Sequence, residues 1–280
     1  MIKILVDSSS DIDAREAEAL GVTLAPMQIR FGDDEYLDGV NLSHSEFFDK
    51  LVECAELPQT SQINEYRFDE YFAKLTQNGD DVIAIVISSK LSGTYDCACR
   101  AAEKYNGMVR VVDSLNASAG ERILCMLALR LVAQGLSCDE VVATLDKQKK
   151  NIKFLALLGT LEYLRKGGRI SSVAAAAGTL FSIKPVISIT DGAVKVEGKA
   201  MGSKNGENML TKFLDKYGID FDMPHTLVYS GKSDALLEKY LVDSERLWTG
   251  KTDNIPRQMI GSTIGTHIGP GAIGVAFFAK

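Results

Sequence analysis

Asp81-Val82-Ile83-Ala84-Ile85-Val86-Ile87-Ser88-Ser89-Lys90-Leu91-Ser92-Gly93-Thr94-Tyr95 decides the fold. The apolar run Val82–Ile87, rich in β-branched residues, reads as a strand buried on both faces and therefore parallel to its neighbours. It gives way to hydroxyls at Ser88-Ser89, and a helix is expected from Ser92 to Tyr105. A strand passing through a Ser/Gly turn into a helix points unpaired backbone N–H groups outward, at the positive end of a helix dipole. That arrangement suits an anion. No Gly-Lys-Ser/Thr ending follows, so it is not a Walker-type phosphate loop. Hydroxyls and amides with no fixed positive charge nearby suit a weakly charged anion such as a carboxylate.

The same alternation runs outward on both sides. Strands are expected at Ile2–Val6, Val22–Ile29 and Met108–Val112. Helices are expected near Asp13–Leu20, from the capping box Ser43-His44-Ser45-Glu46 to Glu53, at Asn64–Thr76, and over 117–134 and 138–150. This predicts an N-terminal parallel sheet with helices on both faces. Ligands of such sheets bind beyond the carboxyl ends of the strands. Four polar loops belong there: Asp7–Asp11, Thr60-Ser61, Ser88–Thr94 and Asp113-Ser114.

After the charged run Lys147-Gln148-Lys149-Lys150 the texture changes. Strands are expected at Phe154–Leu158, Thr226–Tyr229, Gln258–Ser262 and Ala272–Phe278. Helices are expected at Leu161–Lys166, 203–217 and 234–247, with a small-residue helix at Ser171–Phe181. Thr190-Asp191-Gly192 between Pro185–Ile189 and Ala193–Val196 is a hairpin signal. Tight turns between neighbouring strands mean a C-terminal mixed or antiparallel α/β sheet. The expected organisation is two α/β domains, 1–150 and 151–280.

The chain of 280 residues is 46% apolar and 24% charged, with a net charge of −6. The acidic balance argues against nucleic acid as a partner. The absence of an 18-residue apolar stretch predicts neither a signal peptide nor a membrane span. Five cysteines, with Cys97-Ala98-Cys99 in neither a C-x-x-C nor a C-x₄-C spacing, read as structural thiols of a reduced, cytoplasmic protein.

Individual residues carry two readings each. Ser92 is either a helix N-cap serving the Tyr95 N–H or an anion contact acting with the amide of Gly93 or Thr94. Thr60 and Ser61 read as a cap for the helix from Asn64, unless the sheet order brings them beside Ser92. His267, with Gly265, Gly269, Pro270 and Gly271 around it, is expected on a tight loop, as a bonded loop histidine or a switchable donor. Lys166-Gly167-Gly168-Arg169 reads first as a helix C-cap with basic residues, and second as a clamp through Arg169. A Ser92–His267 hydrolase with Asp7 or Asp113 as orienter lacks the G-x-S-x-G elbow. No metal motif occurs.

Seven separated segments together resemble the DegV family of fatty-acid-binding proteins: Val6–Asp11, Pro58–Gln62, Ser88–Tyr95, Val112–Ser114, Leu161–Ile170, Lys184-Pro185 and Gly265–Gly271. They cover essentially the whole chain in the family's order. The resemblance implies two α/β domains with a long-chain fatty acid between them and no other cofactor. It implies that Thr60 and Ser92 hydrogen-bond the carboxylate, beside Ser61 and Gly93 and with His267 in the network. It also implies a non-enzymatic carrier that presents the acid to a separate ATP-dependent fatty acid kinase. The chain departs at Met201, within Lys199–Lys204, where kinase-serving members carry an arginine. This counts against kinase docking and not against lipid binding. Ala174–Gly178 and Phe154–Leu158 are candidate tunnel walls. The competing classes are an acyl hydrolase or transferase using Ser92 and His267, and a phosphate-binding module on the same helix N-termini.

Overall fold

The computed structural model describes residues 1–170, 183–252 and 254–280. Its strands are β1 (Ile2–Asp7), β2 (Thr23–Ala25), β3 (Gln28–Phe31), β4 (Asp34–Leu37), β5 (Gln59–Ser61), β6 (Asp81–Val86), β7 (Val109–Asp113), β8 (Ile152–Leu157), β9 (Ile183–Thr190), β10 (Ala193–Met201), β11 (Thr226–Tyr229), β12 (Arg257–Met259) and β13 (Ile273–Phe278). The helices are α1 (Ala14–Leu20), α2 (His44–Glu53), α3 (Glu65–Thr76), α4 (Thr94–Ala102), α5 (Ala119–Ala133), α6 (Cys138–Gln148), α7 (Glu162–Lys166), α8 (Ser203–Tyr217), α9 (Ala235–Asp243) and α10 (Ser262–Ile268). The small-residue helix expected at Ser171–Phe181, with its Ala174–Gly178 wall, lies outside the described residues.

The run that opened the sequence reading is a central strand. β6 pairs in parallel with β1 and β7, and Val82–Val86 are fully buried. Both faces must therefore be apolar, as they are. The parallel sheet has the order β2-β1-β6-β7. The chain leaves β1 toward β2 on one side and later fills β6 on the other. The crevice between the loops following β1 and β6 is the switch point where ligands of such sheets sit.

The second sheet has the order β10-β9-β8-β13-β11-β12 and is antiparallel except for the β11–β12 pair. Its two faces serve two cores, as strand alternation requires. Phe154 and Ala156 of β8 face the large core built with the parallel sheet and α5, while Leu155 and Leu157 face the one covered by α8 and α9. α5 packs against β1 and β6 on one side and β8, β11 and β13 on the other, so it is the layer between the sheets.

Several expectations need correction. Val22–Ile29 is not one strand. Pro26 has no N–H to give a ladder, so the chain leaves the parallel sheet after Ala25 and β3 starts another. That third sheet, β4-β3-β5, was not anticipated, and Thr60 and Ser61 lie on its edge strand β5 rather than in a capping loop. The cap of α3 is Asn64, which accepts from the Arg67 N–H. The helix after β6 starts at Thr94 with Gly93 at the N-cap position, so Ser92 does not cap it through Tyr95. The strand expected over Gln258–Ser262 is confined to β12. His267 is not on a tight loop but in the last turn of α10. The glycines there mark close packing: a Cβ on Gly265 would sit 2.5 Å from the Phe47 ring of α2.

Candidate functional site

The site begins at the end of β6. Ser88 is buried, and its hydroxyl donates to the Gly192 carbonyl at 2.7 Å, fastening this loop to the β9–β10 turn. That turn carries φ values of 50° at Asp191 and 82° at Gly192, the left-handed pair a tight hairpin needs. The N–H groups of Leu91 and Ser92 both return to the Ser88 carbonyl, which curls the chain before α4. The Ser92 hydroxyl then accepts from the Thr94 N–H at 3.2 Å and shares a 2.9 Å bond with the Thr94 hydroxyl.

β5 crosses this turn closely. The Ile63 N–H reaches Thr94 Oγ1 at 3.4 Å, and Gln62 donates to Cys97 Sγ at 3.2 Å. A Cβ on Gly93 would lie 2.2 Å from Gln62 Oε1, so the two segments meet closely and a larger residue would push the Gln62 side chain aside. Thr60 and Ser61 on β5 thus come to line the same cavity as Ser92.

α10 completes the cluster. His267 Nε2 lies 3.1 Å from Thr60 Oγ1, a contact spanning 207 residues of sequence. Its Nδ1 has no partner among the described residues and faces Gly167, where a Cβ would approach to 2.2 Å. Burial, and then the nearby Arg169 guanidinium, push His267 down from 6.5 to about 4. The ring is therefore neutral at physiological pH. Arg169 donates to the carbonyls of Gly167 at 2.6 Å and Leu91 at 3.3 Å, and burial lowers it below the usual guanidinium range. Among the described residues it has no carboxylate partner.

Thr60, Ser61, Ser92, Gly93 and His267 all line one cavity of about 210 Å³. Arg169 lines it too, which corrects the expectation that no fixed positive charge stands nearby. Gln62, Ser118 and Thr263 are the polar lining residues that the sequence did not single out for binding. Arg169 was legible as a clamp in second place only, because the same residue ends α7. Apart from Ser118 and Thr263, the rest of the lining is apolar and includes Met27, Ile87, Phe154, Ile187, Ile189 and Ile264. Within the expected Phe154–Leu158 wall, Phe154 supplies the contact. The space exceeds by more than tenfold the 10–15 Å³ or so that one water needs. On the other side, Thr60, Gly167, Arg169 and His267 also border an open groove carrying Lys166 and Glu56.

A serine-nucleophile arrangement is not assembled. The histidine bond goes to Thr60, while the Ser92 hydroxyl is held by Thr94. Asp7 accepts from the N–H groups of Ser9 and Ile87, and Asp113 from those of Ser89 and Leu115, so neither orients His267. No helix among the described residues is long and apolar enough to cross a membrane.

The two sheets meet at an apolar cavity with a hydroxyl-rich polar cluster, the geometry of a small-ligand pocket. The family described as "Uncharacterised protein, DegV family" matches residues 1–280, and the chain belongs to the DegV family. It is 32% identical over 281 residues to a DegV domain-containing protein of Caldanaerobacter subterraneus subsp. tengcongensis, covering 100% of this chain and 99% of that one. A DegV protein from Thermus thermophilus described by its fatty acid binding superposes with a TM-score of 0.88 at 29% identity, covering 100% and 99% of the two chains. A stearic acid-binding protein from Eubacterium ventriosum superposes with a TM-score of 0.86 at 26% identity, with the same coverage.

Proposed function

We propose that this chain binds a long-chain fatty acid, with its carboxylate at Thr60 and Ser92 and its hydrocarbon along the apolar walls. The observation that carries this reading is the union of an apolar cavity with a cluster of donors that lack an acidic partner among the described residues. A carboxylate accepts two to four hydrogen bonds. Thr60 and Ser92 each offer an O–H, the Gly93 turn offers backbone N–H groups, and Arg169 adds charge.

His267 sets the polarity of the cluster. For Thr60 to donate its proton to an acid, its oxygen and not its proton must face His267. Nε2–H of the neutral imidazole supplies the bond to that oxygen, leaving Nδ1 as a bare acceptor against Gly167. Each charge-assisted bond contributes about 1.5–3 kcal/mol. Each buried CH₂ adds about 0.8 kcal/mol, so a long tail dominates affinity while the head fixes orientation.

The family relatives described as fatty-acid-binding support this reading. The division of labour fits two domains, 1–150 and 151–280. All strands of the parallel sheet come from the first segment, all strands of the mixed sheet come from the second, and the acid lies between them. The chain itself acts as a carrier and not as an enzyme. Presentation to a fatty acid kinase is the finer step of the reading, and the groove beside Thr60 and Arg169 leaves the head accessible for it. Met201, 61% exposed, stands where kinase-serving members carry arginine. Mass spectrometry of lipid carried through native purification tests the binding. One long-chain fatty acid per chain is expected, and a sugar phosphate or nucleotide in its place, or no lipid, would refute it.

A further inference from the structure

A second polar cluster lies behind the cavity wall, which two of its members, Ser118 and Thr263, help to line. Asp38 is fully buried, and its two oxygens accept from the N–H groups of Ser262 and Thr263, both at 2.9 Å. Asp11, also buried, accepts from the Gly261 N–H at 2.8 Å and from the Ser118 hydroxyl. Three successive N–H groups at the start of α10 are thus held by carboxylates more than 220 residues away in sequence. α10 has no cap of its own: Gly261 carries no side chain to serve the first turn. Two carboxylates at a helix N-terminus satisfy its orphan donors and oppose its dipole.

α10 has only seven residues, and His267 lies in its last turn. A helix this short gains little from its own cooperativity, so its position is set from outside. Gly265, in its middle, is close-packed on Phe47, and Gly167 on the His267 ring, so the short helix moves as one body. Moving the first turn therefore moves the imidazole relative to Thr60 Oγ1.

Resting on the fatty-acid reading above, we propose that Asp38, which never touches the cavity, is a positioning residue for the acid-binding cluster: it fixes the register of α10 so that His267 meets Thr60. Asp11 supports it from the next N–H. Asp38 is the stronger holder because it carries two of the three bonds. The other charged or titratable groups facing it are His44, with Nε2 at 3.9 Å from Asp38 Oδ1, and the carboxylates of Asp7 and Asp11. Asparagine at position 38 keeps the shape and one acceptor but turns an NH₂ against the second N–H.

The test uses the delipidated full chain with ¹⁵N-labelled histidine, His267 being assigned by H267Q. In the native protein His267 stays neutral down to about pH 4. In D38N it is expected to titrate about one pH unit higher, because a loosened ring gains solvent. Palmitate affinity is expected to fall about tenfold in D38N. On a T60A background the same change should cost roughly twofold or less, because the two act through one contact. D38A is expected to exceed D38N, and if D38A does not fold, D38N decides. A His267 titration unchanged in D38N, or an affinity loss fully additive with T60A, overturns the proposal, since a merely stabilising aspartate would do that. The titration is read without lipid. A chain that captures no fatty acid therefore removes the binding reading and leaves the role of Asp38 decided by the titration alone.

Discussion

The two polar clusters of this molecule are opposites. Around Thr60, Ser92, Arg169 and His267 there is a surplus of donors, and they line a cavity. Around Asp7, Asp11, Asp38 and Glu121 there is a surplus of acceptors, all buried, and nearly every oxygen is already occupied by a backbone N–H or a serine hydroxyl. Glu121 Oε1 is the exception. A cluster that satisfies itself is structure, whereas one that keeps spare donors beside an apolar cavity is built for an acceptor that comes from outside. Buried charge therefore does not mark the site here. The sense of the hydrogen bonds does.

The largest effect is expected on the donor side. Removing both hydroxyls in T60A/S92A deletes two charge-assisted bonds of about 1.5–3 kcal/mol each, so fatty-acid affinity should fall about a hundredfold or more by calorimetry. A double variant that binds as well as the native chain would mean that the donors serve the fold after all.

Gly167→Ala acts through shape alone. Its backbone φ of −74° accepts alanine, but the new methyl would meet His267 Nδ1, and overpacking of this kind costs about 1–3 kcal/mol. A lower melting temperature and an affinity loss of about tenfold are expected. Unchanged affinity would free His267 from the site.

The two clusters should also respond to pH with opposite signs. Asp7 and Asp11 are raised from 3.8 to about 6, by burial above all. The folded state then holds more protons than the unfolded one between those values. Their contribution grows as pH falls through that window and is lost as pH rises through about 6. His267 runs the other way. Depressed to about 4, it contributes stability that is present above 6.5 and lost as pH falls through about 4. Denaturant midpoints at about pH 7 and about pH 5 should show D11N shrinking the gain on acidification and H267Q shrinking the loss, each by roughly 1–2 kcal/mol. Equal slopes in all three proteins would contradict the contrast.

The smallest effect is expected at Met201. Met201→Arg changes an exposed strand end far from both clusters, so lipid affinity should stay within about twofold. Only ATP-dependent acyl phosphorylation by an added fatty acid kinase should improve. A change in lipid affinity would place this strand in the cavity.

The sequence was readable where a single segment determines its own state. Val82–Ile87 had to be a doubly covered parallel strand, and Thr190-Asp191-Gly192 had to be a hairpin turn, because neither depends on distant partners. The capping box at Ser43 and Glu46 formed for the same reason. The pattern failed where tertiary contact decides. Thr60-Ser61 became a strand only because β3 offers an edge, and the Gly265–Gly271 stretch looked like a loop because glycines chosen for close packing resemble glycines chosen for turns. Arg169 reads identically as a helix-end cation and as a cavity charge. Nothing local to Asp38 announces that it holds a helix start at residue 262.

The most direct measurement is a crystal structure of the chain grown with palmitate. The account predicts the carboxylate within hydrogen-bonding distance of both Thr60 Oγ1 and Ser92 Oγ, and the hydrocarbon against Ile187, Ile189 and Phe154. An acid bound the other way round, or elsewhere on the molecule, would contradict it.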